Sequence, residues 1–241
     1  MNREPIFNVP GAVLATIAVL VGVYFLMSYM APEEFTWWLL ALAFIPARYA
    51  GLAHELPGGD VSAVTSFVTH MLVHADLTHL IFNCAWLLAF GTVLCSRIGG
   101  ARYLAFSIAG GVSGALLFLL LNPGLLAPVI GASGAISAMM GGVMRFLFTA
   151  IARGEGYLLR EEPSAIPLTS LRTALRDRRV VLASAAFLAI NMLAIVGFGK
   201  YDEGGDIAWE AHVGGYLFGL IAFGAFDRAT QNEPPPSPEL D

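Results

Sequence analysis

The sequence is short of charge. Only 13% of its 241 residues are Asp, Glu, Lys or Arg, while 57% are hydrophobic; an ordinary soluble domain carries about 25% charged residues. That shortage argues against a soluble globular protein. The charges that exist cluster between long apolar runs, which is the pattern of a polytopic helical membrane protein. Cysteine is almost missing. Cys84 and Cys95 lie in one apolar run, where a straight helix separates them by about 16 Å. A disulfide needs Cα atoms within about 7 Å, so they cannot pair and are read as lipid-facing or packing residues. A phosphate-binding loop, an internal repeat and a low-complexity core are all lacking. The net charge of −5 says little about partners, because charges act locally in a bilayer; no nucleic-acid partner is expected. The N-terminal "MNREPIF" precedes an apolar run too long for a typical secretory signal, without a convincing cleavage site, and is read as leading into a first span.

What is present is enough apolar chain for six crossings, at about 20 residues each: residues 11–30, 77–96, 101–121, 131–152, 180–199 and 206–226. With the N-terminus inside, Arg3, Arg97, Arg102, Arg145, Arg153, Arg160, Arg172, Arg176, Arg178, Arg179 and Arg228 all lie on the inner side, and only Arg48 and Lys200 lie outside. This satisfies the positive-inside rule and puts both termini in the cytoplasm. Residues 35–47, "FTWWLLALAFIPA", are too short to cross and end at Pro46 and Arg48. They are read as an interfacial segment of the first outer loop, with Trp37 and Trp38 at headgroup level. The expected organisation is one membrane domain over 1–230, with a basic cytoplasmic loop at 153–179. The tail "QNEPPPSPELD" (231–241) is expected to be disordered.

Polar side chains in hydrocarbon are costly and therefore functional candidates. The second span opens with "HLIFN", which places His79 and Asn83 one turn apart on one face. The fourth carries "GASGA" with Ser133, and the sixth "AHVGGYLFG" with His212. Counted from the nearest inner-face charge, Asn83 stands about 21 Å from Arg97, His212 about 22 Å from Asp227 and Ser133 about 18 Å from Arg145. All three share one level in a hydrocarbon core about 30 Å thick. The stretch "LNPGLLAPV" breaks the helix ahead of Ser133, so the fourth helix is expected to start at the serine. A helix start offers backbone N–H groups to an oxyanion. A hydroxyl becomes a nucleophile when a base takes its proton, and His212 is the natural base. The Asn83 amide, His79 and the Ser133 backbone N–H are candidate oxyanion donors. Gly131, Gly134, Gly215 and Gly219 are read as glycines that let helices close around the site, with Gly141 and Gly142 in support.

"HLIFN", "GASGA" and "AHVGG", in that order on spans two, four and six, together with "FVTHMLVHADLTHLIFN", resemble the rhomboid family of intramembrane serine proteases over about residues 66–226. The resemblance implies a six-helix rhomboid-like bundle and a Ser133–His212 dyad, with His79 and Asn83 helping to bind the oxyanion. It implies no cofactor and no metal. The substrates it implies are single-span membrane proteins, cut near the outer face and admitted beside the fifth helix. The sequence departs from the family at "VTSFVTH", which lacks a common Trp-Arg pair, at Cys95, where a glutamate is common, and at Ser137, where the bacterial prototype has a tyrosine.

Blander readings exist for each residue. A serine beside glycines is usually packing glue; that reading holds for Ser113 in "GVSG", which has no helix start behind it. His70, His74 and His79 have spacing that tempts a metal reading, but hydrogen bonds fixing the outer loop account for them better. Asn191 is read as bonding a neighbouring helix, Tyr216 as packing near the site, and Glu210 and Asp206 as poorly placed to be a third catalytic member. The rival functions are a catalytically inactive rhomboid-like protein that escorts membrane helices and a small transporter. The absence of a targeting presequence points to a bacterial plasma membrane.

Overall fold

The computed structural model describes residues 9–193 and 208–227, and their regular elements are all helices apart from an isolated bridge between Phe44 and Val129. Arg3, Lys200, Asp206, Arg228 and the tail 231–241 lie outside the described residues, as do parts of the expected spans 180–199 and 206–226. The main helices are α1 (Gly11–Ser28), α2 (Pro32–Leu42), α3 (Gly59–Thr69), α4 (Leu77–Ile98), α5 (Gly100–Leu121), α6 (Ser133–Ala152), α7 (Arg178–Leu193) and α8 (Trp209–Phe226). Among the described residues, α1, α4, α5 and α6 are long and apolar enough to cross a membrane. Their outer faces expose Leu14, Leu26, Phe82, Trp86, Ile108 and Leu120. In water such faces would cost about 25 cal/mol per Å²; in lipid they cost nothing. The molecule is a polytopic integral membrane protein.

The segment 35–47 is divided. α2 has 11 residues, about 16 Å of helix, which is too short to cross. Pro46 then opens a short 3-10 turn, Pro46–Ala50. Arg48 is buried, donating to the Leu40 and Pro57 carbonyls at 2.6 and 2.8 Å. It therefore staples the outer segment rather than marking the surface.

α8 occupies the middle of the bundle, against α5 and α6. Glycines make that approach possible. A Cβ on Gly215 would run into the Gly134 carbonyl, one on Gly219 into the Ala138 carbonyl, and one on Gly141 into the Tyr216 carbonyl. Backbones this close gain dispersion contacts that larger side chains would prevent. Below them, Phe106, Phe146 and Phe223 are fully buried and pack ring against ring.

Arg145 differs from its sequence reading. The fourth span is expected over 131–152 and α6 does run to Ala152, so Arg145 is a poor depth marker. Counted from the helix end, Ser133 stands about 28 Å away rather than about 18 Å. Its guanidinium is buried and folds back on the protein, donating to the carbonyls of Thr169 (2.9 Å) and Leu220 (2.8 Å). The other two depth markers touch each other: Arg97 and Asp227 form a buried ion pair at 2.6 Å. The inner ends of α4 and α8 therefore stand at one level.

Candidate active site

Ser133 is the first residue of α6. Asn122 and Pro123 end α5, and Pro128 keeps the approach extended, since proline lacks the N–H a helix needs. The approach is held by backbone bonds from outside: Phe44 and Val129 exchange N–H···O=C bonds at 3.0 and 2.8 Å, and the Gly131 N–H donates to the His70 carbonyl at 2.9 Å. The first backbone bond within α6 runs from the Ile136 N–H to Ala132. The N–H groups at the helix start have no partner inside the helix.

Gly131 is corrected by the structure. It is not a helix-packing glycine. It lies in the turn before α6 with φ +107°, where side-chain-bearing residues are strained. A Cβ there would fall 2.7 Å from the His79 ring and 3.8 Å from Ser133 Oγ. The imidazole at 79 and the hydroxyl at 133 thus border one small space. Gly134 sits in ordinary contact, its virtual Cβ 3.5 Å from the Ala211 carbonyl; its own carbonyl is the surface against which Gly215 packs.

His212, on the first turn of α8, meets the serine. Its Nε2 lies 2.7 Å from Ser133 Oγ. Its Nδ1 lies 2.7 Å from Asn191 Oδ1 on α7. Asn191 is buried, and its Nδ2 donates to the Phe187 carbonyl one turn back at 2.8 Å. The expectation of a bond to a neighbouring helix thus gains a specific partner, the imidazole. Glu210 turns elsewhere and accepts from Asn122 Nδ2 at 2.9 Å.

α4 begins at an N-cap, Asp76, whose Oδ1 accepts the His79 N–H at 2.8 Å. Asn83, one turn on and buried, gives one of its two amide N–H donors to the His79 carbonyl at 2.8 Å. Among the described residues, no side-chain hydrogen bond joins His79 or Asn83 to Ser133; His79 reaches the site through the wall at Gly131. His70 is buried with Nδ1 bonded to the Ser66 carbonyl (2.8 Å). His74 departs from its expected hydrogen bonding. Its buried ring nitrogens have no partner in bonding geometry, and the ring packs edge-on against His79 at 5.0 Å. Burial pushes both His70 and His74 down to about 4, with His79 adding to the effect at His74. Ser113 lies within α5, beside Gly114 and Gly214, where helices touch. Tyr216 bonds Ser184 Oγ at 2.6 Å and stacks on Phe187.

The fold is that of a polytopic helical membrane protein in which a serine at a helix start has its hydroxyl on an imidazole of the neighbouring helix. The family follows from comparison: the model of the Rhomboid domain matches residues 61–227, more than half the chain, and the chain belongs to the rhomboid family. It is 34% identical over 127 residues to the putative rhomboid protease YdcA of Bacillus subtilis (strain 168), covering 53% of this chain and 58% of that one. It is 26% identical over 172 residues to Rhomboid-related protein 2 of Mus musculus, covering 70% and 51%. Against the rhomboid protease GluP of B. subtilis it is 30% identical over 159 residues, covering 66% and 25%. The chain thus spans about half the length of the first two and a quarter of the third.

Proposed function

We propose that the protein is an intramembrane serine endopeptidase with a six-span bundle, acting on single-span membrane proteins in or beside their membrane segments. The observation that carries this reading is the 2.7 Å contact between Ser133 Oγ and His212 Nε2. Two relatives whose names include rhomboid protease support it. Ser133 Oγ attacks the carbonyl carbon of the scissile bond as His212 Nε2 takes its proton. The oxyanion that forms is received by the Ser133 backbone N–H, His79 and the remaining Asn83 N–H. His212 returns the proton to the departing amine. Water, deprotonated by His212, then releases the acyl group from Ser133. The arginine distribution supports a reading with both termini in the cytoplasm, and a bacterial plasma membrane is the setting we assign.

The test is cleavage of a model single-span substrate in liposomes, alongside labelling with a fluorophosphonate. Wild type is expected to cleave and to label at Ser133. Ser133→Ala and His212→Ala lose both activities, and Ser113→Ala keeps both. A wild type that binds the substrate but neither cleaves nor labels would instead be the inactive escort.

A further inference from the structure

We infer that Asn191 is a positioning residue for the reaction: it fixes the ring and the tautomer of His212, so that the serine–histidine pair is oriented by an asparagine. The inference rests on the protease reading above. Three observations carry it. Asn191 Nδ2 is committed to the Phe187 carbonyl, which fixes the amide so that Oδ1, an acceptor only, faces the imidazole. The Nδ1 that lies 2.7 Å from that oxygen must then bear the hydrogen. A neutral imidazole carries one hydrogen, so Nε2 presents its lone pair to Ser133 Oγ, 2.7 Å away on the opposite side of the ring. This is the protonation pattern a general base requires, and the pinned amide selects it.

The placement is also mechanically specific. Ser184, Phe187 and Asn191 lie on one face of α7, at helical spacing. Ser184 and Phe187 hold Tyr216, and Asn191 holds His212. Tyr216 and His212 are themselves one turn apart on α8. The seam between these helices thus aligns the asparagine with the imidazole. The other ionisable groups near the ring are His79 from α4, Glu210, bonded to Asn122, and Tyr216, bonded to Ser184. None of them bonds Nδ1.

Asn191→Ala, Asn191→Asp and wild type are compared in three measurements: kcat and KM for a single-span substrate across pH, the rate of fluorophosphonate labelling, and the unfolding midpoint in detergent. Asn191→Ala is expected to lower kcat and the labelling rate about 10- to 100-fold, with KM little changed. Asn191→Asp keeps an acceptor at Nδ1 and adds a charge that favours the imidazolium. It is expected to restore much of the rate and to move the acid limb of the pH profile to higher pH. A purely structural asparagine would lower the unfolding midpoint in both variants and leave the pH profile in place; that result overturns the inference. So does an Asn191→Ala protein that labels at the wild-type rate, and in that case the protease reading stands. A wild type that neither cleaves nor labels removes the reading and the inference together.

Discussion

At the scale of single residues, the site depends on atoms that are missing as much as on those present. Gly131 shows this. An alanine there must adopt φ +107°, at a cost of about 1–2 kcal/mol, and must push the His79 ring away from 2.7 Å. Gly51 has nearly the same φ, +103°, and open space around it. The two substitutions therefore separate strain from displacement. Gly131→Ala is expected to cut kcat for a membrane substrate by about tenfold or more, while Gly51→Ala loses some stability and keeps its kcat. Equal kcat values in the two variants would show that the His79 ring does not need its place. Ser133 and His212 were legible in the sequence because a polar group in an apolar run has few reasons to be there; the depth count for Ser133, taken from Arg145, did not add to that. Asn191 was legible only as a polar group seeking a partner. Choosing His212 as that partner requires the rotation of α7 about its axis, which a nearly uniform apolar helix does not encode. The role of Gly131 was misread for a related reason: the sequence shows that a side chain is absent, not whether a helix or a ring fills the space.

At the scale of elements, the helix positions follow the apolar runs closely. The expected 101–121 is α5, Gly100–Leu121, and the expected 131–152 is α6, Ser133–Ala152. Apolar length and helix-breaking prolines leave little choice at those ends. The outer segment was less legible, since its folding relies on buried polar contacts that have no periodicity. His70 and His74 are the sharpest case. Burial holds both near 4 in the folded protein, against 6.5 for a free imidazole. Above about pH 6.5 both states are neutral and the fold has its full stability. As the pH falls below that, the unfolded chain takes up protons that the native one refuses, so stability declines until about pH 4. His74→Phe keeps an aromatic ring, gives up only a contact with the Leu72 backbone and removes one titrating site. The unfolding midpoint in detergent is expected to drop between pH 6.5 and 4 in wild type and to drop less in His74→Phe. Parallel pH curves for the two proteins would show that His74 does not contribute.

At the scale of the whole molecule, the inner end of the bundle is closed by one buried cluster. Arg97, on the last turn of α4, donates to Asp227 just past α8 through Nε (3.2 Å) and a terminal nitrogen (2.6 Å). Its other terminal nitrogen bonds the Pro163 and Ile166 carbonyls of the loop after α6. The guanidinium lies 4.4 Å over the Phe146 ring. One side chain therefore gathers α4, α6, α8 and the connecting loop, and both partners are essentially without solvent. A buried pair like this gives little net stability against an apolar substitute, but breaking it from one side leaves a charge without its counterpart, at about 3–5 kcal/mol. Asp227→Leu strands the guanidinium. Arg97→Met takes away the carboxylate's ion-pair partner, leaving it the attraction of Arg145, and also removes the donors that hold the loop. Each single change is expected to lower stability by about that amount, and Arg97→Met, unlike Asp227→Leu, should open the 155–170 loop to protease. Arg97→Met with Asp227→Leu removes both charges and should recover much of the loss, while leaving the loop without its donor. Thermal unfolding of the four proteins in detergent, with limited proteolysis beside it, measures both effects. Strictly additive losses in the double variant would mean that the two residues act separately and that something other than their pairing gathers the inner ends. A coupling with the loop still open would separate the work of the ion pair, which sets helix against helix, from that of the carbonyl bonds, which fasten the loop beneath them.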